Sequence, residues 1–158
     1  MGDFIGRHEN KRDSKGRVSI PASFRASLRA DGDNPCVSLI LRASHRHAGI
    51  EAWPVAEFAK LAAPLDALDP FGDDHEDISA ALYGDAYPVE SDKEGRIVLP
   101  ESLVRHASLT ETVLFMGIGR TFQIWEPGLA ERRSAEARFR MREIGARTRG
   151  NSGPGGTA

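Results

Sequence analysis

Two triplets of the form apolar–any–apolar, Val18-Ser19-Ile20 and Ile97-Val98-Leu99, each run into a proline, Pro21 and Pro100. Period-two spacing puts the outer residues of each triplet on one face of a strand and the residue between them on the other. After each proline the apolar spacing becomes helical: Phe24 and Leu28 in the first case, Leu103, Val104 and Ala107 in the second. Proline suits the first helical position, where its missing N–H costs no hydrogen bond, and Gly32 is placed to end the first helix. A β-hairpin pattern follows each helix. The first is residues 37–41 and 50–53 around the polar loop RASHRHAG; the second is 113–116 and 121–125 around Gly117 and Gly119. The hairpins end alike, on Trp53-Pro54 and on Trp125-Glu126-Pro127. The unit is thus strand, turn, strand, short helix, strand, turn, strand, helix, and it occurs twice.

The repeat is sharpest over nine residues. DSKGRVSIP begins at Asp13 and DKEGRIVLP begins at Asp92, 79 residues later. Asp first and Gly fourth suit a type I β-turn, in which the Asp carboxylate accepts backbone N–H bonds and Gly takes a positive φ. Arg17 and Arg96 then begin a strand on the face opposite the apolar pair, where each can form an ion pair with its own Asp across the turn. Turn chemistry alone accounts for Asp13, Gly16, Asp92 and Gly95, and for a lone Asp-x-x-Gly-Arg it would suffice. A single hairpin is marginal. Two copies related by a pseudo-two-fold axis can interleave into one closed β-structure with a shared core, which also places two arginine-bearing turns on one surface.

Charge adds a further distinction. The formal net charge is only -2, but residues 1–30 hold seven Lys/Arg against three acids, residues 66–101 hold eleven acids against two basic residues, and residues 131–149 hold seven Arg against three Glu. Segregated charge permits nucleic-acid binding where the total does not argue for it. Lys11, Arg12 and Lys15 surround the first turn, whereas Glu90 and Glu94 flank the second. No apolar run approaches the ~20 residues of a membrane span, and the N-terminus has no apolar stretch of a secretory signal. The single cysteine, Cys36, excludes an internal disulfide and a Cys-based zinc site. The expectation is a cytoplasmic protein.

The repeated phrase, together with FRASL after the first proline, LYGDAYPVESD before the second turn and FQIWEP near the end, resembles the SpoVT-AbrB, or swapped-hairpin, domain. In its tandem form the chain resembles the MraZ family of bacterial transcriptional regulators, over residues ~5 to ~140. That resemblance implies an α+β fold of tandem AbrB-type units forming a pseudo-two-fold β-barrel with flanking helices. The expected divisions are unit 1 at 7–54, a helical acidic connector at 55–85, unit 2 at 86–129, a basic helix at 130–146 and a disordered tail at 147–158. It implies a nucleoid-associated regulator that binds direct repeats in double-stranded DNA upstream of its own division and cell-wall operon, as an octameric or dodecameric ring, with no enzyme activity, cofactor or metal. Carried onto matching positions, the DNA-contacting motif is Asp13, Arg17, Asp92 and Arg96. Arg offers a planar donor fork to phosphate or to guanine O6/N7, while Lys11, Arg12 and Lys15 would contact phosphate and set affinity. The first turn is expected to contact DNA more strongly. A ring would gain avidity over successive repeats without new contacts. An antitoxin-like or scaffold AbrB protein is the alternative, disfavoured by the two units and the short tail.

Other signals have plainer readings. His45 and His47 lie in a polar loop, and the acidic run Asp73 to Asp77 suits a helix N-terminus. Gly117-Ile118-Gly119 is a hairpin turn between strands, without the third glycine of a dinucleotide loop. Trp53 and Trp125 at matching strand ends are expected in the core or at a subunit contact. The arginine-rich helix is expected to present a solvated face or to dock on the acidic connector of a neighbouring subunit.

Overall fold

The computed structural model describes residues 2–29 and 34–156, with side chains described through Arg149. The chain divides into two compact units, Met1–Glu126 and Pro127–Ala158. The first is mixed α+β and antiparallel. Its first copy comprises β1 (Arg7–Lys11), β2 (Arg17–Ser19), α1 (Ala22–Leu28), β3 (Ser38–Ala43) and β4 (Ile50–Pro54). Next come α2 (Val55–Ala62), a 3-10 turn (Ala63–Ala67) and α3 (Asp73–Tyr83). The second copy is β5 (Ala86–Glu90), β6 (Arg96–Val98), α4 (Glu101–His106), β7 (Thr112–Gly117) and β8 (Phe122–Trp125). The expected helix stop at Gly32 lies outside the described residues.

Strand pairing crosses between the copies. A six-stranded sheet runs β1-β7-β8-β4-β3-β5, and a two-stranded ribbon joins β2 to β6. Exchanging each strand for its counterpart reverses the order of the large sheet and leaves it unchanged. The registers obey the same rule. Lys11 pairs with Thr112 as Glu90 pairs with Ser38. The ladder between β4 and β8 centres on Glu51 opposite Gln123, and the ribbon centres on Val18 opposite Ile97. Each first strand therefore completes the other copy's hairpin.

The expected closed barrel is not found among the described residues. β1 and β5 are the two edges of the large sheet. The reason is local: the chain leaves each edge strand through a tight turn, and the next strand enters the separate ribbon instead of extending the ladder.

The core is shared by both copies. Val18, Ile20, Phe24, Ile97, Leu99 and Leu103 join Leu41, Ile50, Phe115, Phe122 and Ile124 in one buried cluster. Phe24 meets Phe4 edge-on with ring centroids 5.3 Å apart and lies 5.0 Å from Phe122. Such aromatic pairs contribute beyond the area they bury. A second cluster, Phe58, Ala62, Leu65 and Leu82, packs against Ile40 and Trp53 and so seats the acidic connector on the β3–β4 hairpin.

The second unit contains α5, Pro127–Gly156. Its charges pair along the helix, Arg133 with Glu136 at 3.7 Å and Arg138 with Glu131 at 3.8 Å. Among the described residues no helix is long and apolar enough to cross a membrane.

Candidate nucleic-acid interface

Each repeated turn closes on its aspartate. The Asp13 N–H donates to the Arg17 carbonyl at 2.8 Å and the Gly16 N–H donates back to the Asp13 carbonyl at 3.0 Å. Asp13 Oδ1 accepts from the Lys15 and Arg17 N–H groups, both at 2.9 Å. Asp13 Oδ2 accepts from Arg17 Nε at 2.7 Å. The second turn repeats these bonds: Asp92 N–H to the Arg96 carbonyl at 2.9 Å, Gly95 N–H to the Asp92 carbonyl at 3.1 Å, and Arg96 Nε to Asp92 Oδ2 at 2.7 Å. Gly16 and Gly95 have φ of 78° and 82°, a region where a Cβ is strained. Glycine is the residue these turns require.

Electrostatics follow from this geometry. Backbone donation from Arg17 is the largest influence on Asp13 and holds its carboxyl below the ordinary 3.8, with the Arg17 side chain adding to it. Asp92 is lowered in the same way, first by the Arg96 backbone N–H. The Arg96 guanidinium is raised, chiefly by its hydrogen bond to Asp92. Both carboxylates therefore stay ionised and keep their arginines paired at neutral pH.

The aspartates hold the arginines by Nε, which leaves the two terminal nitrogens as a fork. Val18 and Ile97 face the core, so Arg17, Ser19, Arg96 and Val98 share the outer face of the ribbon. Val98 is 58% exposed, which marks that face as open. A two-stranded antiparallel ribbon is one of the few elements that fit the DNA major groove. The two forks differ in one respect. Arg96 Nη2 also reaches Glu94 Oε2 at 3.5 Å, whereas the Arg17 terminal nitrogens have no partner among the described residues.

The other expected site residues are placed unevenly. Lys11 and Lys15 are exposed. Arg12 is not a free surface cation: its Nη1 donates to the Thr110 carbonyl at 2.9 Å and its Nε is buried. Two residues that motif reading missed support the turns. Asn10 Nδ2 donates to the Ser19 carbonyl at 2.7 Å, tying β1 to the ribbon. Ser91 Oγ accepts from the Val37 N–H and donates to the Asp92 carbonyl, both at 2.9 Å. Ser91 sits at the position corresponding to Arg12, and that difference between the copies is the one sequence signal that could have found it.

The tryptophans lie inward of any such surface. Trp125 is buried and donates from its indole to Gln123 Oε1 at 2.9 Å, as the half-buried Trp53 does to Glu51 Oε1 at 3.1 Å. His45 lies 3.1 Å from Arg42 Nη2 and 3.8 Å from Asp85 Oδ2. Among the described residues no group of three or more His, Cys, Asp or Glu is placed to hold a metal ion.

Comparison with known proteins adds the family. Residues 82–151 match the family model described as "MraZ protein, putative antitoxin-like". The chain is 56% identical over 158 residues to the transcriptional regulator MraZ of Gluconacetobacter diazotrophicus, covering all of both chains. It is 56% identical over 154 residues to the protein of the same name from Gluconobacter oxydans, covering 98% of this chain and 94% of that one. Against the Pelagibacter ubique protein of that name it is 39% identical over 135 residues, 85% of each chain.

Proposed function

The chain belongs to the MraZ family, and from that premise we propose that it is a sequence-specific DNA-binding regulator of transcription. Its reading surface is the outer face of the β2–β6 ribbon. One observation carries this: Arg17 and Arg96 lie on that face, each held at Nε by its own aspartate. Arg17, with a free fork and with Lys11 and Lys15 exposed beside it, makes the stronger contact. Lys11 and Lys15 meet phosphate. Arg12 acts through the Thr110 carbonyl and not as a main phosphate contact.

The finer reading follows the family. The exchange of first strands between copies supports a tandem swapped-hairpin fold, with one AbrB-type unit at 7–54 and another at 86–129. The protein binds direct repeats upstream of its own division and cell-wall operon, as a ring, and works at the nucleoid. An antitoxin-like role has support in the wording of the family description, and a co-purifying toxin-like partner would favour it.

The test is a gel shift with DNA from upstream of the protein's own gene at several salt concentrations. Binding that weakens steeply with salt and survives competitor DNA is the expected result. Wild-type protein that shows no such binding would sink the assignment. Native mass spectrometry with and without that DNA checks the ring.

A further inference from the structure

Helix α1 of the first copy reaches the turn of the second. Arg25 Nη1 donates to the Glu94 carbonyl at 2.6 Å. The Arg25 side chain also covers Gly95, so that a Cβ placed on Gly95 would collide with Arg25 Cδ and Nη1. Gly95 is buried, and its carbonyl accepts from the Ile20 N–H at 2.9 Å. Arg25 therefore grips the peptide segment that also ties the ribbon together.

The first turn has no such cover. Nothing lies within 4 Å of a Cβ placed on Gly16, which is half-buried. The position corresponding to Arg25 in the second copy is Val104, whose side chain has no donor. The Arg25 Nε is buried without a hydrogen-bond partner. Giving up water at that nitrogen is unfavourable for an ordinary surface arginine. The bond to Glu94 at the other end of the guanidinium offsets it.

We propose that Arg25 is a positioning residue, clamping the second turn so that Arg96 meets DNA in a fixed pose while the Arg17 turn adjusts on binding. The inference rests on the DNA-binding reading above and adds a division of labour between the turns. A clamped turn has less to order when DNA arrives, which raises affinity without any contact from Arg25 itself.

Arg25→Ala and Arg25→Lys are compared with wild type in two measurements. The first is anisotropy with the upstream repeat DNA over a salt series; the second is amide hydrogen exchange without DNA. Arg25→Ala should weaken binding about three- to tenfold, the scale of one hydrogen bond, with the salt slope unchanged. In an Arg96→Ala background the same change should do little. The Gly95 and Arg96 amides should exchange faster, and the Gly16 and Arg17 amides should not. Arg25→Lys keeps the stem and one donor and should restore part of both effects; it carries the comparison if Arg25→Ala does not fold. A salt slope smaller by about one, or a loss that adds in full to that of Arg96→Ala, would make Arg25 a DNA contact and overturn the proposal. Unchanged exchange at Gly95 and Arg96 would overturn it whatever the DNA result. If wild type fails to bind DNA, the DNA-binding reading falls, and exchange alone decides whether the clamp exists.

Discussion

Around Asp13 and around Asp92 the backbone closes in the same way, with the same aspartate oxygens accepting from the same relative positions. The surroundings differ. The second turn has Ser91 beneath it and Arg25 across it. The first has open space at Gly16, an exposed Lys15 and an Arg12 occupied with Thr110. A duplicated motif thus supplies duplicated hydrogen bonds without duplicated rigidity. Rigidity comes from what the rest of the fold packs against each copy.

The largest test of that asymmetry lies in the core. Phe24 and Leu103 occupy corresponding positions on α1 and α4, and both are buried. Phe24→Ala should cost about 3–5 kcal/mol in urea unfolding and Leu103→Ala about 2–5, with Phe24 ahead because it also holds Phe4 and Phe122. Equal losses would mean that the aromatic cluster does not favour the first copy.

The next contrast is at the ribbon. Arg17→Ala should weaken binding to the upstream DNA by about ten- to a hundredfold, and Arg96→Ala by about five- to tenfold. An equal or larger loss at Arg96 reverses the proposed ranking. Arg17→Ala with full specific binding removes the site assignment.

Glycine substitutions probe the clamp more gently. Gly16→Ala should cost about 1–2 kcal/mol through its positive φ alone. Gly95→Ala should lower the melting temperature further, because Arg25 must move as well. Matching melting temperatures would remove Arg25 from the account.

The smallest effect is with pH, and there the two turns should agree. Both aspartates titrate below 3.8 when folded. A depressed carboxyl stabilises the fold above its unfolded value, and that contribution is lost as pH falls through the folded value. Both turns should stay closed at about pH 5 and open only below the ordinary carboxylate range. Carboxyl chemical shifts followed through an acid titration read this directly, and Asp13→Asn should remove the step at the first turn alone. An opening near pH 5 at either turn would contradict the hydrogen-bond assignment.

The turns were legible in the chain because every bond that closes them spans five residues or fewer, so Asp, Gly and Arg carry the information themselves. The helices after Pro21 and Pro100 were legible for the same reason, as was the inward phase of Val18 and Ile97. Arg12 reads as a phosphate contact from its basic sequence neighbours; the Thr110 carbonyl that accepts from its Nη1 lies 98 residues away. Arg25 reads as an ordinary helix-surface arginine, and its partner Glu94 is 69 residues distant.

The sequence by itself determined the repeated unit, the chemistry of its turns and which face of each ribbon strand is buried. These are short-range properties, set by backbone preference and by alternation of apolar and polar side chains. Only the tertiary structure decided that each first strand completes the other copy's hairpin, that β1 and β5 remain edges instead of closing a barrel, and that one turn is covered while its twin stays open. Those outcomes depend on which distant segments meet, and local spacing carries no record of the partner.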